Sequence, residues 1–181
     1  MPSANPQKVI DALWSSIRGA EAQLYAVLDG ARNEGIYSAV LASGCEFECL
    51  YRGELEPNLA EAAPYLLKLQ KDHPFTYWLV GKGWGDSWGI FIQSTASLKD
   101  VRRHLRKFLM VYDPDTKPLY FRYYDPRVLR AYLPTCSADE LATVFGPVQS
   151  YLLENDGPND LLQFSNAAGA LQTQRIPLPV A

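Results

Sequence analysis

The chain is poor in the residues that carry most protein chemistry. Its 181 positions hold three cysteines and two histidines. Cys45, Cys49 and Cys136 are odd in number and irregularly spaced, so they form no disulfide framework, and a reduced compartment fits them best. No apolar run approaches the ~20 residues that cross a bilayer as a helix. Residues 1–12 lack a basic segment followed by an apolar one, so no signal peptide is expected. Charge of neither sign dominates: 17 Lys and Arg stand against 20 Asp and Glu, for a net charge of −3. That balance gives no reason to expect a polyanion partner. There is no internal repeat. A soluble, cytoplasmic protein is the expectation.

Catalytic motifs are missing too. There is no Gly-x-Ser-x-Gly elbow and no His-Glu-x-x-His. The glycine-rich run Gly81–Gly89 is not a phosphate loop, because it lacks the Gly-Lys-Ser/Thr ending and precedes a strand instead of following one. Its glycines suit a tight turn that buries Trp84 and Trp88. Cys45 and Cys49, with Glu46, Glu48, His73 and His104 elsewhere, make a poor metal set. On a strand the two cysteines share a face but lie roughly 13 Å apart, and no second ligand pair has zinc spacing. Neither a metal nor a cofactor is expected.

What is present is material for a core. Apolar residues make up 48% of the chain and aromatic ones 12%, enough for one globular domain. Val9, Ile10, Leu13, Trp14 and Ile17 form one face of a helix over 6–18. Gln23–Leu28 reads as a buried strand ending at Asp29-Gly30. A helix follows over about 34–42, then a half-exposed strand over 45–51. Residues 58–63 read as a loop or short helix, 64–69 as a strand, 74–80 as a helix and 90–92 as a strand. Ser97 and Asp100 open an amphipathic helix over 98–109 with a capping box, and Ser137 and Glu140 do the same for one reaching about Val144. Residues 110–112 and 119–124 suit a hairpin around the turn at 113–118. Strands over 148–154 and 161–165 join through Asn155-Asp156-Gly157. The expected fold is mixed α/β, a mixed sheet with helices packed on it in a single domain. We divide it into an N-terminal helical segment (1–19), a core domain (20–166) and a flexible C-terminal tail (167–181).

The stretch Leu119–Leu133 organises the rest. Leu119, Phe121 and Tyr123 alternate with Tyr120, Arg122 and Tyr124, which is a strand pattern. Asp125-Pro126 then starts a helix: the carboxylate caps free N–H groups, and proline suits the first helical position. Arg127 sits in the first turn, where the helix dipole disfavours a cation. It therefore needs a carboxylate partner, either Asp125 or an acid from another strand end. Breaking such a pair, if buried, costs about 3–5 kcal/mol.

Two chemical readings stand beside the structural one. Asp29 and Asp125 both follow strands, and such a strand-end pair is an acid/base candidate in a small-molecule enzyme; as caps or turn residues they are structural. Lys99, Arg102, Arg103, Arg106 and Lys107 decorate the helix over 98–109, which suggests a nucleic-acid or acidic-protein face, or merely a solvated one.

Five segments carry a resemblance. They are Leu24–Arg32, Ala63–Leu67, Gly83–Ile90, His104–Arg106 and Phe121–Leu129, the last reading Phe-Arg-Tyr-Tyr-Asp-Pro-Arg-Val-Leu. In order and spacing, from about Leu24 to Gln149, they resemble a bacterial family catalogued as domain of unknown function 4123 and associated with type VI secretion. The resemblance implies a cytoplasmic, non-enzymatic chaperone or adaptor. Such a protein holds a toxic effector and helps load it onto the spike-tip protein VgrG or a spike-capping protein. It carries over no catalytic residues. Tyrosine and arginine are favoured at interfaces, so Tyr120, Arg122, Tyr124 and Arg127 are the partner-binding candidates. Asp29, Trp84, Trp88, Asp125 and Pro126 are read as structural.

Overall fold

The computed structural model describes residues 5–112 and 114–178. In chain order the elements are α1 (Pro6–Ser15), β1 (Gln23–Asp29), α2 (Gly35–Ala42), β2 (Phe47–Cys49), α3 (Pro57–Ala62), β3 (Pro64–Lys68), α4 (Pro74–Gly83) and β4 (Gly89–Ser94). Then come α5 (Leu98–Leu105), β5 (Met110–Tyr112), β6 (Pro118–Tyr120), α6 (Pro126–Tyr132), α7 (Ala138–Phe145), β7 (Val148–Asn155), β8 (Gly157–Ala167) and β9 (Ala170–Pro177). Among the described residues, seven strands form one sheet in the order β2-β3-β1-β4-β7-β8-β9, and β5 and β6 form a separate ribbon.

The α/β class, the single domain and the helices packed on a sheet are as expected. The pairings within the sheet are antiparallel throughout instead of mixed. β3 and β4 both run against β1, so they are parallel to each other and flank it. α4 makes the crossover between them, and β1 fills the place where a parallel contact would have formed.

Helices cover both faces of the sheet. On one side Leu24, Ala26 and Leu28 of β1 pack with Val9, Ile10 and Leu13 of α1, Ile36 and Val40 of α2, and Leu79 of α4. On the other, Tyr25 and Val27 pack with Val101 and Leu105 of α5, Leu129 of α6, and Leu141 and Phe145 of α7. A strand covered on both faces has no polar face to show, which is why Leu24–Leu28 reads as an unbroken apolar run. α1 belongs to this core: Val9, Ile10 and Leu13 are fully buried. It is therefore not an appendage, and it ends at Ser15, short of the expected Arg18.

The C-terminal segment departs most from expectation. Residues 170–177 are not a loose tail but strand β9, paired with β8 from Asp160↔Pro177 to Ala167↔Ala170. The connecting residues Ala168 and Gly169 have φ of 51° and 85°, as a two-residue hairpin with both central residues left-handed requires. Asn166 accepts the Gly169 N–H at 2.9 Å and fixes that turn. Beyond β9, Leu178 is buried and donates its N–H to Asn159 O at 2.7 Å. β9 is the edge strand, so its Gln172, Thr173 and Gln174 are exposed, and no apolar period marks it in the sequence. The remaining tail residues 179–181, residues 1–4 of the expected polar start and residue 113 of the expected turn lie outside the described residues.

Two smaller differences bear on the site. Gly81–Gly83 continue α4 instead of opening the turn, and α5 stops at Leu105 before a 3₁₀ turn over Arg106–Phe108. A Cβ at Gly83 would lie 2.7 Å from the Trp88 ring, so glycine there is a packing requirement.

Candidate functional site

The organising stretch is only half strand. β6 stops at Tyr120; Phe121 makes one further backbone bond, to Leu109 O at 3.0 Å, and residues 121–124 run on as loop and turn. The alternation nevertheless sorts the side chains. Phe121 and Tyr123 turn into the helical layer, where Phe121 packs on Tyr132 (4.9 Å between centroids) and Tyr123 donates its hydroxyl to Leu105 O at 3.0 Å. Tyr120, Arg122 and Tyr124 turn towards β1 and the β2–α3 connection. There Tyr120 packs on Tyr51 at 5.5 Å between ring centroids.

Arg122 reaches the end of β1 and binds the Asp29 carboxylate. Asp29 is 1% exposed; its other oxygen accepts the Ala31 N–H at 3.1 Å, and its own N–H donates to Trp88 O at 2.8 Å. The hydrogen bond to Asp29 raises the pKa of Arg122, and burial opposes it. Asp125 caps α6 as expected, accepting the Arg127 N–H at 2.9 Å. The same carboxylate takes both arms of the Arg127 guanidinium, Nε at 2.9 Å and Nη2 at 2.6 Å. Of the two partners anticipated for Arg127, Asp125 is the one used. Burial pushes the Asp125 carboxyl up, but the Arg127 side chain and backbone N–H outweigh it and hold it below its ordinary value.

Each aspartate is therefore tied to an arginine and a backbone N–H, an arrangement that locks the end of β1 and the start of α6. The exposed halves of Arg122 and Arg127 face outward. Trp84, Trp88, Asp125 and Pro126 are buried, consistent with structural roles. Tyr124 is also buried, so its candidacy for partner binding is corrected: its ring belongs to the core. Tyr120 is 64% exposed and keeps its candidacy.

Glu154 is a side chain that no short sequence pattern marks. This buried carboxylate on β7 accepts the Gly85 N–H at 2.6 Å, the Ser87 N–H at 2.8 Å and the Ser87 hydroxyl at 3.0 Å. It pins the loop that carries Trp84 and Trp88 to the sheet. Burial raises its pKa, and those three hydrogen bonds oppose the shift. A lone acid ending the apolar run Tyr151–Leu153 was the available signal. His104 likewise has a partner the sequence did not reveal: its Nε2–H donates to Val144 O at 2.8 Å inside the α5–α7 layer. Cys45 Sγ lies 3.7 Å from His73 Nδ1, and among the described residues no three His, Cys, Asp or Glu side chains form a group able to hold a metal.

The most exposed apolar surface adjoins this cluster. Met110, Val111 and Tyr112 of β5 and Leu119 and Tyr120 of β6 are each at least 41% exposed. Apolar side chains gathered on both strands of a two-stranded ribbon are unusual without a partner. Among the described residues no helix is long and apolar enough to cross a membrane.

A family model described as a domain of unknown function (DUF4123) matches residues 24–143, from β1 into α7. The chain belongs to this family. No curated protein and no solved structure matches the chain.

Proposed function

We propose that the protein is a chaperone and adaptor that binds a type VI secretion effector in the cytoplasm and helps load it onto VgrG or a spike-capping protein. The observation that carries this reading is the exposed apolar ribbon β5–β6, set beside the Asp29–Arg122 and Asp125–Arg127 pairs. A surface of this kind gains by being covered, and its tyrosines are residues that interfaces favour. The resemblance of the chain to type VI-associated proteins supplies the class of partner. A strand-end enzyme is the weaker reading, because both of its proposed carboxylates are engaged by arginines and backbone N–H groups.

The test is deletion of the gene in a producing strain, with killing of competitor cells by a type VI toxin encoded near it as the readout. Killing should be lost and then restored by the gene supplied in trans. Undiminished killing would count against the proposal.

A further inference from the structure

Arg52, Lys99, Arg102, Arg103 and Arg106 surround a bay of about 370 Å³ whose one lining carboxylate is Glu48. Two of the cations are already committed. Arg102 donates to Cys49 O at 2.8 Å and sits 3.4 Å from Glu48, and Arg103 pairs with Asp100 at 2.9 Å. Arg52 and Lys99 form no ion pair among the described residues. The Nη2 of Arg106 is buried with no hydrogen-bond partner among them. Burial, with Arg102 and Arg52 nearby, pulls the Arg106 pKa down. A crowd of like charges around a poorly solvated guanidinium is costly, and an anion in the bay relieves the repulsion.

The bay does not stand alone. Arg52 and Arg106 also line an adjoining groove of about 590 Å³, whose walls include Leu55, Leu59, Met110, Tyr112 and Tyr120. An apolar trough on the inner side of the β5–β6 ribbon thus opens directly into a cationic bay.

Building on the adaptor reading, we propose that this two-part groove docks an acidic segment of the effector. Its carboxylates enter the bay at Arg52 and Arg106, and its apolar side chains lie along Leu55, Leu59 and Met110. Charge complementarity selects the acid, and the aliphatic trough selects a polypeptide. A nucleic acid fits less well: its next phosphates would meet Glu54 and Glu56, which are exposed on either side of Leu55. Paired charges at such a rim set association rate and specificity, and the apolar half adds residence time.

Three variants test this in the full-length chain: Arg52→Glu with Lys99→Glu in the bay, Leu59→Asp in the trough, and Lys82→Glu on α4 as a control in the opposite layer. All of these positions are exposed, so melting temperatures should stay near wild type. With the neighbouring toxin as ligand, the bay and trough variants should each weaken binding about tenfold or more, and the control should not. Toxin binding that is unchanged in both groove variants overturns the groove while leaving the adaptor reading intact. If the wild-type protein binds no toxin, the adaptor reading fails. A fluorescein-labelled peptide with a cluster of glutamates followed by a run of leucines then decides the groove. Salt-sensitive binding that both groove variants lose supports it; no binding, or tighter binding of a single-stranded oligonucleotide at the same site, overturns it.

Discussion

The guanidinium of Arg122 binds the carboxylate of Asp29 across 93 positions of sequence, joining the loop after β6 to the end of central strand β1. Asp29 is buried and Arg122 is half exposed, so the two partners are not equivalent. Removing the arginine strands a buried carboxylate on a single backbone N–H. Arg122→Ala should cost about 1–2 kcal/mol, a value reduced for the arginine's contact with water, read as a lower urea midpoint with unchanged slope. Arg122→Lys should recover only part, because an ammonium cannot reproduce the planar guanidinium.

Arg127 is also half exposed, which lowers the expectation for Arg127→Ala from the 3–5 kcal/mol of a buried pair to about 1–2 kcal/mol. Its partner gives a pH signature. The folded pKa of Asp125 lies below its ordinary value. Its contribution is therefore present above the unfolded carboxyl pKa of ~3.9 and lost as pH falls through the folded value. In acid, wild type should lose stability that Asp125→Asn has already forfeited, and their unfolding midpoints should converge there.

Glu154 should matter to the tryptophans more than its distance from them in sequence suggests. Glu154→Ala removes the acceptor for Gly85 and Ser87 and frees the loop between Trp84 and Trp88. A red-shifted tryptophan emission and a loss of about 1–3 kcal/mol are expected. A spectrum identical to wild type would mean that the two indoles hold the loop unaided.

The last strand should be indispensable. Ending the chain at Ala167 strips β9 from β8 and removes Ile176 and Leu178 from the core. The truncated protein should melt lower and aggregate through its new β8 edge. In the intact protein, the amides of residues 171–176 that pair with β8 should exchange slowly with deuterium.

Local chemistry was legible in the sequence, and long-range partners were not. The caps at Asp125, Ser97 and Ser137 lie within three residues of the groups they bind, so short patterns revealed them. The buried run Leu24–Leu28 and the inward face of α5 were equally plain, because each is a period written along one element. β9 was invisible because an exposed edge strand needs no apolar period, and its turn uses Ala168 where Asn-Gly is the usual mark. The alternation in 119–124 sorted the side chains correctly but overstated the strand, since an alternating pattern does not require a ladder of hydrogen bonds. The partners of Arg122 and Glu154 leave no mark in the sequence, because both bind residues far along the chain.

The proposed role as an effector holder stands or falls on complex formation. The protein and the type VI toxin used in the deletion test should be co-expressed and passed over a size-exclusion column. One co-eluting complex is expected, with an interface of standard size, about 1,600 Å² in total, and a toxin that is less soluble when expressed alone. Separate elution of two folded proteins, with the toxin fully soluble on its own, would contradict it.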